Sequence, residues 1–302
     1  MQHKLIDFQG IKMTAALEIG NTLIGEGYPA YVVAEIGINH NGDVNLAKRL
    51  ISIAVAAGCN AVKFQKRTIE VVYTPEELAK PRDSVFGLTN GDLKYGLEFN
   101  QAQYTEIDRY CQEVNIAWFA SCWDEGSVDF ISHFNPPCYK IASASLTDHD
   151  LLRHTRSKNK PIILSTGMST LDQIDAAVNV LGSKDLVIMH SCSTYPSMYE
   201  ELNLRVIPML RERYKVPVGY SGHETGLAST VAAVVLGGCV IERHVTTDRA
   251  LWGSDQAASL EPNGINKLIR DIRLVEASLG SPEKRVQPSE IPVMQKLRRV
   301  GA

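Results

Sequence analysis

The feature that most constrains this 302-residue chain is a rhythm of eight short apolar runs of β type, each followed by a segment of helical period. The runs are YVVAEI (31–36), NAVKFQ (60–65), IAWFAS (116–121), CYKIAS (138–143), PIILST (161–166), LVIMHS (186–191), VPVGYS (216–221) and CVIERH (239–244). Between them, segments such as VNLAKRLISIAVAAG and GLASTVAAVVLGG place apolar residues at i, i+3 and i+4 and stop on glycine. Eight such units in about 250 residues predict a (β/α)8 TIM barrel, an α/β fold, in preference to a doubly wound sheet. The barrel is expected to occupy residues 1–280, with an N-terminal hairpin at about 17–27 (LEIGNTLIGEG). The tail at 281–302 (SPEKRVQPSEIPVMQKLRRVGA) has no barrel pattern and reads as a short C-terminal extension packed outside or as the stub of a linker. A longer polar insertion at roughly 66–100 sits where a barrel carries an active-site loop.

Hydrophobic residues at 44%, charged residues at 22% and a net charge of −3 describe a soluble globular chain with no electrostatic reason to bind nucleic acid. No apolar run approaches the roughly 20 residues that span a bilayer, and the N-terminus lacks an apolar signal core. Neither nucleic acid nor membrane is an expected partner, and the expected location is cytoplasmic. The six cysteines are dispersed without CxxC spacing, mostly inside apolar runs, and read as buried small hydrophobes.

Catalytic residues of such a barrel lie at the C-terminal ends of the strands. Here those ends carry Glu35, Lys63 and Gln65, Ser121, Lys140 and Ser143, Ser165 and Thr166, His190 and Ser193, Ser221 and His223, and His244. Taken singly, each has an ordinary explanation: a serine as a helix cap, a lysine snorkelling to solvent, a histidine hydrogen-bonded in the core. Together they point to a site, because Lys63 and Lys140 sit inside apolar strands where an unpaired ammonium is costly. An anionic ligand held between them would remove that cost. Strands seven and eight are neighbours, so His223 and His244 can reach one point, and closure of the barrel brings Glu35 near. Two imidazoles with Glu35 and Asp255 close by suit a divalent transition metal such as Mn, Fe, Co or Zn with open positions for water.

The motifs AEIGINHNGDVNLAKRLISIAVAAGCNAVKFQ, PPCYKIASAS, PIILSTGMST, TYP, GYSGHETGL and ERHVTTDRALWGSDQAAS, in this order, closely resemble the N-acetylneuraminate (sialic acid) synthase family over residues 20–280. The resemblance implies a transferase that condenses phosphoenolpyruvate with an open-chain aldehyde sugar, giving a 2-keto-3-deoxy sugar acid and phosphate. It implies that Lys63, Gln65, Ser121, Lys140, Ser143, Ser165 and Ser221 hold phosphoenolpyruvate. It assigns His223 and His244 to Mn2+, with Mg2+, Co2+ or Zn2+ as alternatives, and sets Glu35, Tyr195 and Asp255 against the sugar or the attacking water. Ser145 and Ser193 occupy substrate-binding positions where the family pattern has glutamate and asparagine. The family's C-terminal antifreeze-like domain would begin about where KLRRVGA ends, so its absence is expected here. That leaves an acceptor without an N-acyl group, or one bearing phosphate, at least as well supported as N-acetylmannosamine. A homodimer built on barrel surfaces is a further expectation. Two rival readings are a pyruvate-type aldolase with Lys63 or Lys140 as Schiff-base lysine, and a non-catalytic barrel that binds sugar or regulates a partner.

Overall fold

The computed structural model describes residues 16–301. The eight apolar runs form strands β1 (Tyr31–Gly37), β2 (Ala61–Lys66), β3 (Ala117–Cys122), β4 (Tyr139–Ile141), β5 (Ile162–Ser165), β6 (Leu186–Ser191), β7 (Val218–Gly222) and β8 (Val240–His244). They pair in parallel, each with its neighbour in sequence, and β8 closes on β1 from Val240 against Tyr31 to His244 against Glu35. The predicted (β/α)8 barrel is therefore the fold. Strand limits differ from the sequence expectation by at most 2 residues, as at β4 and β7.

Strand alternation divides each strand between two environments. Val32, Ala34, Val62, Phe64, Leu164 and Ile241 face the outer helices and join Leu50, Ile51 and Ile107 in one apolar layer. Tyr31, Val33, Phe119, Ile163, Met189 and Val240 point inward and fill the lower barrel. The N-terminal hairpin, Leu17–Ile19 paired with Thr22–Ile24, delivers Leu17, Ile19 and Ile24 to that same inner cluster and closes the bottom of the barrel. A floor of this kind leaves only the C-terminal ends of the strands open to a ligand.

Helix α1 (Val44–Ala57) shows how the sequence sets the units. Asp43 caps its first turn by accepting from the Asn45 amide, and Gly58 ends it in the left-handed conformation at φ 85°. The insertion after β2 is more ordered than a loop. It holds a small hairpin (Pro81–Ser84 with Gly87–Thr89) and a helix at Asn90–Leu97 that starts from a Thr89–Asp92 capping box. Phe86, at the hairpin tip, meets Trp252 edge-on at 5.8 Å. Gly42 leaves room for the same ring, since a β-carbon there would lie 3.0 Å from Phe86 Cζ. The insertion thus roofs the loop that follows β1. After the last barrel helix, Pro262–Leu279, the chain runs almost wholly exposed to residue 301, with one short helix at Ile291–Leu297. Among the described residues no helix is long and apolar enough to cross a membrane.

Ile24 is fully buried in the barrel floor. Ile24→Ala is expected to lower unfolding free energy by about 2–4 kcal/mol in urea titration, through lost transfer energy and a cavity that the closed barrel cannot collapse.

Candidate active site

Where the inward-facing residues approach the top of the barrel, apolar side chains give way to charged ones. Glu35, Lys63, Gln65, Ser121, Lys140, Ser165, Ser221, Glu242 and His244 line a cavity of about 200 Å³ at the C-terminal ends of the strands. Lys63 stands at its centre. Its Nζ lies 3.1 Å from Glu35 Oε2 and 3.3 Å from Glu242 Oε1, and donates to Ser121 Oγ at 2.9 Å. Lys140 Nζ donates to Ser165 Oγ at 2.5 Å and lies 4.0 Å from Glu242 Oε1. All four ionisable side chains are buried.

Burial is the largest influence on each of them, and their mutual attraction decides the outcome. For Lys63, desolvation is outweighed by Glu242 and Glu35, so its ammonium is held above the ordinary lysine range. For Lys140 desolvation wins, and its amine is pushed down to about 8. Glu242, buried but facing Lys140 and Lys63, is held down to about 2. Glu35 is raised by burial despite Lys63 and His244. The two carboxylates of one cavity thus differ in character: Glu242 is a fixed anion and Glu35 is the more basic.

His223 and His244 meet on the β7–β8 side with ring centroids 5.5 Å apart. His223 Nδ1 lies 2.6 Å from the Cys192 carbonyl, which accepts its proton and leaves Nε2 with a free lone pair. Burial pushes its pKa down to about 3, so the ring is neutral. His244 Nδ1 is buried with no hydrogen-bond partner and lies 3.6 Å from Asp255 Oδ2. Two imidazoles with unused lone pairs fit a divalent first-row ion whose other positions go to water or substrate oxygen. Among the described residues no group of three His, Cys, Asp or Glu side chains is placed to hold a metal unaided. Tyr195 packs against the His223 ring with centroids 4.1 Å apart and planes tilted by 38°, and meets His244 edge-on at 5.7 Å.

A buried network outside the barrel positions this pair. Arg243 points away from the cavity between Glu242 and His244, and is wholly buried. It donates to Glu224 Oε1 at 3.2 Å, Thr230 Oγ1 at 2.7 Å and the Gly226 carbonyl at 2.9 Å. Tyr220 adds a hydrogen bond to Glu224 at 2.9 Å. The loop bearing His223 is thereby tied to the strand bearing His244.

Of the residues expected from the sequence, Glu35, Lys63, Gln65, Ser121, Lys140, Ser143, Ser165, Ser193, Tyr195, Ser221, His223 and His244 all line the one cavity. Two do not. Ser145 ends a 3-10 turn, Ser143–Ser145, that carries its side chain into the protein. Asp255 lies behind His244, not in the cavity lining. His190 points to the outer face of β6, where Nε2 meets the Leu202 carbonyl at 2.6 Å. The sequence reading missed Glu242, the carboxylate that balances both lysines. Its signal was strand alternation, because a residue two before His244 on β8 must share its face. That carboxylate also revises the expectation that an outside anion is needed to balance the lysines. A second cavity, of about 220 Å³, lies at the opposite end of the barrel around Gly25–Tyr28 and Leu236–Cys239, away from all of these groups.

The NeuB family model matches residues 50–284. The chain belongs to the NeuB family. It is 40% identical to human N-acetylneuraminate-9-phosphate synthase over 279 residues, which cover 91% of this chain and 78% of that protein. It is 34% identical to the N,N'-diacetyllegionaminic acid synthase of Legionella pneumophila, with 91% and 80% covered. Among solved structures, the N-acetylneuraminic acid (sialic acid) synthetase of Leptospira borgpetersenii in complex with citrate superposes with a TM-score of 0.83 at 30% identity, covering 96% of this chain and all of that one. Truncated 3-deoxy-D-arabino-heptulosonate 7-phosphate synthase of Thermotoga maritima, at 14% identity and a TM-score of 0.69, shares the fold.

Two tests follow from this NeuB-family site. Arg243→Met strands Glu224 as an uncompensated buried charge, and is expected to cost about 3–5 kcal/mol of stability by denaturant titration. Glu242 is held below its ordinary 4.5, so its stabilising effect is complete above that value and is lost as pH falls toward about 2. The loss is on the order of 3 kcal/mol. Glu242→Gln is expected to flatten this acid limb in stability measured against pH.

Proposed function

We propose that this protein catalyses the metal-dependent condensation of phosphoenolpyruvate with an aldehyde sugar, giving a 2-keto-3-deoxy sugar acid and phosphate. The observation that carries the reading is the convergence, in one barrel mouth of a NeuB-family chain, of two buried lysines with two imidazoles whose lone pairs are unused. Relatives named as N-acetylneuraminate-9-phosphate, legionaminic acid and pseudaminic acid synthases support the reaction class.

Phosphoenolpyruvate brings a carboxylate and a phosphate, and the floor of the cavity presents donors for both. Ser121 and Ser165 accept from Lys63 and Lys140, which leaves each hydroxyl proton polarised and free to donate to an anion. Gln65 and Ser143 add polar groups to the lining. Held there, the enol is oriented so that C3 attacks the aldehyde carbon. His223 and His244 would hold a divalent ion, with Mn2+ the first candidate, and it would supply Lewis acidity for the addition of the enol and of the water that follows at C2. Tyr195, packed on both imidazoles and partly exposed, faces the sugar side. Glu35 is assigned as the base for that water: it lines the cavity, and burial raises its pKa. Asp255 lies behind His244, with Oδ2 3.6 Å from its Nδ1 and outside the cavity lining, and is not assigned as that base. Phosphate then leaves by C–O cleavage.

One observation favours a second reading. The Lys140 amine, pushed down to about 8 by burial, has the character of a Schiff-base nucleophile. Metal-loaded enzyme incubated with phosphoenolpyruvate and a panel of aldehyde sugars (N-acetylmannosamine, its 6-phosphate, mannose, arabinose 5-phosphate and diacetamido hexoses) separates the two. Sugar-dependent phosphate release, reduced at least about 100-fold in His223→Ala, is the expected result. Borohydride trapping of pyruvate on Lys140, with no phosphate released from any sugar, would replace the synthase by an aldolase.

A further inference from the structure

Gln65 lines the cavity beside Lys63, and its amide is held at both ends. Its Nε2 donates to Glu35 Oε1 at 3.0 Å, and its Oε1 accepts a hydrogen bond from Arg67 Nη2. A guanidinium has no acceptor, so only the carbonyl end of the amide can face it. That fixes the rotamer without reference to the protonation state of Glu35. With one amide hydrogen on Glu35, the second is left for a ligand of the cavity.

Arg67 is itself immobilised. Its guanidinium stacks on Trp123 at 4.4 Å, and its backbone amide donates to Glu98 Oε1 at 3.1 Å. Trp123 lines the cavity, and its backbone amide bonds the Lys66 carbonyl at 3.1 Å. On the far side, Gly37 closes over the pair at φ 53°, where a β-carbon would come within 3.0 Å of Glu35 Oε1 and 3.2 Å of Gln65 Nε2. The backbone of β1 and the side chain of Arg67 thus confine one amide between them. No step of the proposed condensation draws on Arg67.

We propose that Arg67 is a positioning residue that acts through Gln65. Its guanidinium holds the amide so that one N–H reaches Glu35 and the other faces the anionic substrate. The inference rests on the proposed function for the identity of that anion, phosphoenolpyruvate. Arg67 does not touch the substrate, so its effect exists only while Gln65 is present.

A double-mutant cycle on the metal-loaded enzyme tests this. Phosphoenolpyruvate affinity is measured by calorimetry for the wild type, Arg67→Met, Gln65→Met and the double variant, with melting temperatures recorded alongside. Arg67→Met is expected to weaken binding about tenfold, the scale of one hydrogen bond to a charged group. The same change in the Gln65→Met background is expected to have no further effect. Equal losses in both backgrounds, or wild-type affinity in a folded Arg67→Met, would overturn the proposal. Should Arg67→Met fail to fold, Arg67→Lys, which keeps the charge and loses the planar fork, enters the same cycle and is judged alike. A wild type that does not bind phosphoenolpyruvate at all would remove the functional reading instead. The relay is then read from a crystal structure of the Arg67 variant without ligand. An amide nitrogen still on Glu35 there would overturn it, and an amide that has turned away would sustain it.

Discussion

Two ammonium groups and two carboxylates are kept out of water inside a closed barrel, and the upper half of the molecule is arranged around that fact. Lys63 is shared by Glu35 and Glu242, at 3.1 and 3.3 Å, while Lys140 leans on Glu242 and Ser165. Removing any one member leaves a charge in a medium where it costs several kcal/mol. Apolar residues of similar volume would close the barrel at least as well, as Val33, Phe119, Ile163 and Met189 do in the layers beneath. Stability therefore resides below, and the polar layer answers to something other than stability.

Strand β8 joins the two functions within three consecutive residues. Glu242 and His244 face the cavity, and Arg243 between them faces the outer helices, because strand residues alternate. Arg243 then satisfies Glu224, Thr230 and the Gly226 carbonyl, and so fixes the loop that presents His223. One imidazole is placed by the strand itself and the other by a network that the neighbouring residue anchors. The tautomer of His223 is set by the Cys192 carbonyl on β6's loop, so three consecutive units of the barrel define this corner of the mouth.

The barrel was legible because its signal is redundant: eight runs of strand length, each followed by helical period, leave few alternatives. The site was legible where polar residues end a strand, as with Glu35, Lys63 and His244. It was not legible where position depends on the backbone beyond the strand. Ser145 follows β4 closely in sequence, yet a 3-10 turn rotates it away from the cavity. Asp255 comes near His244 only through the fold of the loop after β8. Glu242 escaped for the opposite reason, since attention to strand ends passed over an inward residue one step below. The insertion after β2 read as a polar loop because its elements, two four-residue helices, a four-residue and a three-residue strand and an eight-residue helix, are too brief for a periodic signal.

The charge of the polar layer also constrains how the two halves of the mouth work together. Lys63 and Lys140 offset Glu35 and Glu242, so the cavity presents an incoming anion with no surplus positive charge. What remains to hold phosphoenolpyruvate, on the function proposed, is the hydroxyl ring and the free N–H of Gln65, both polarised by the groups behind them. Those dipoles orient an anion better than they neutralise it. Compensating charge has to enter with the substrate, and the two imidazoles on the β7–β8 side are the groups able to hold a cation there. On this argument the histidines and the lysines form a single site: the balance struck inside the barrel makes the second half of the mouth a condition for the first.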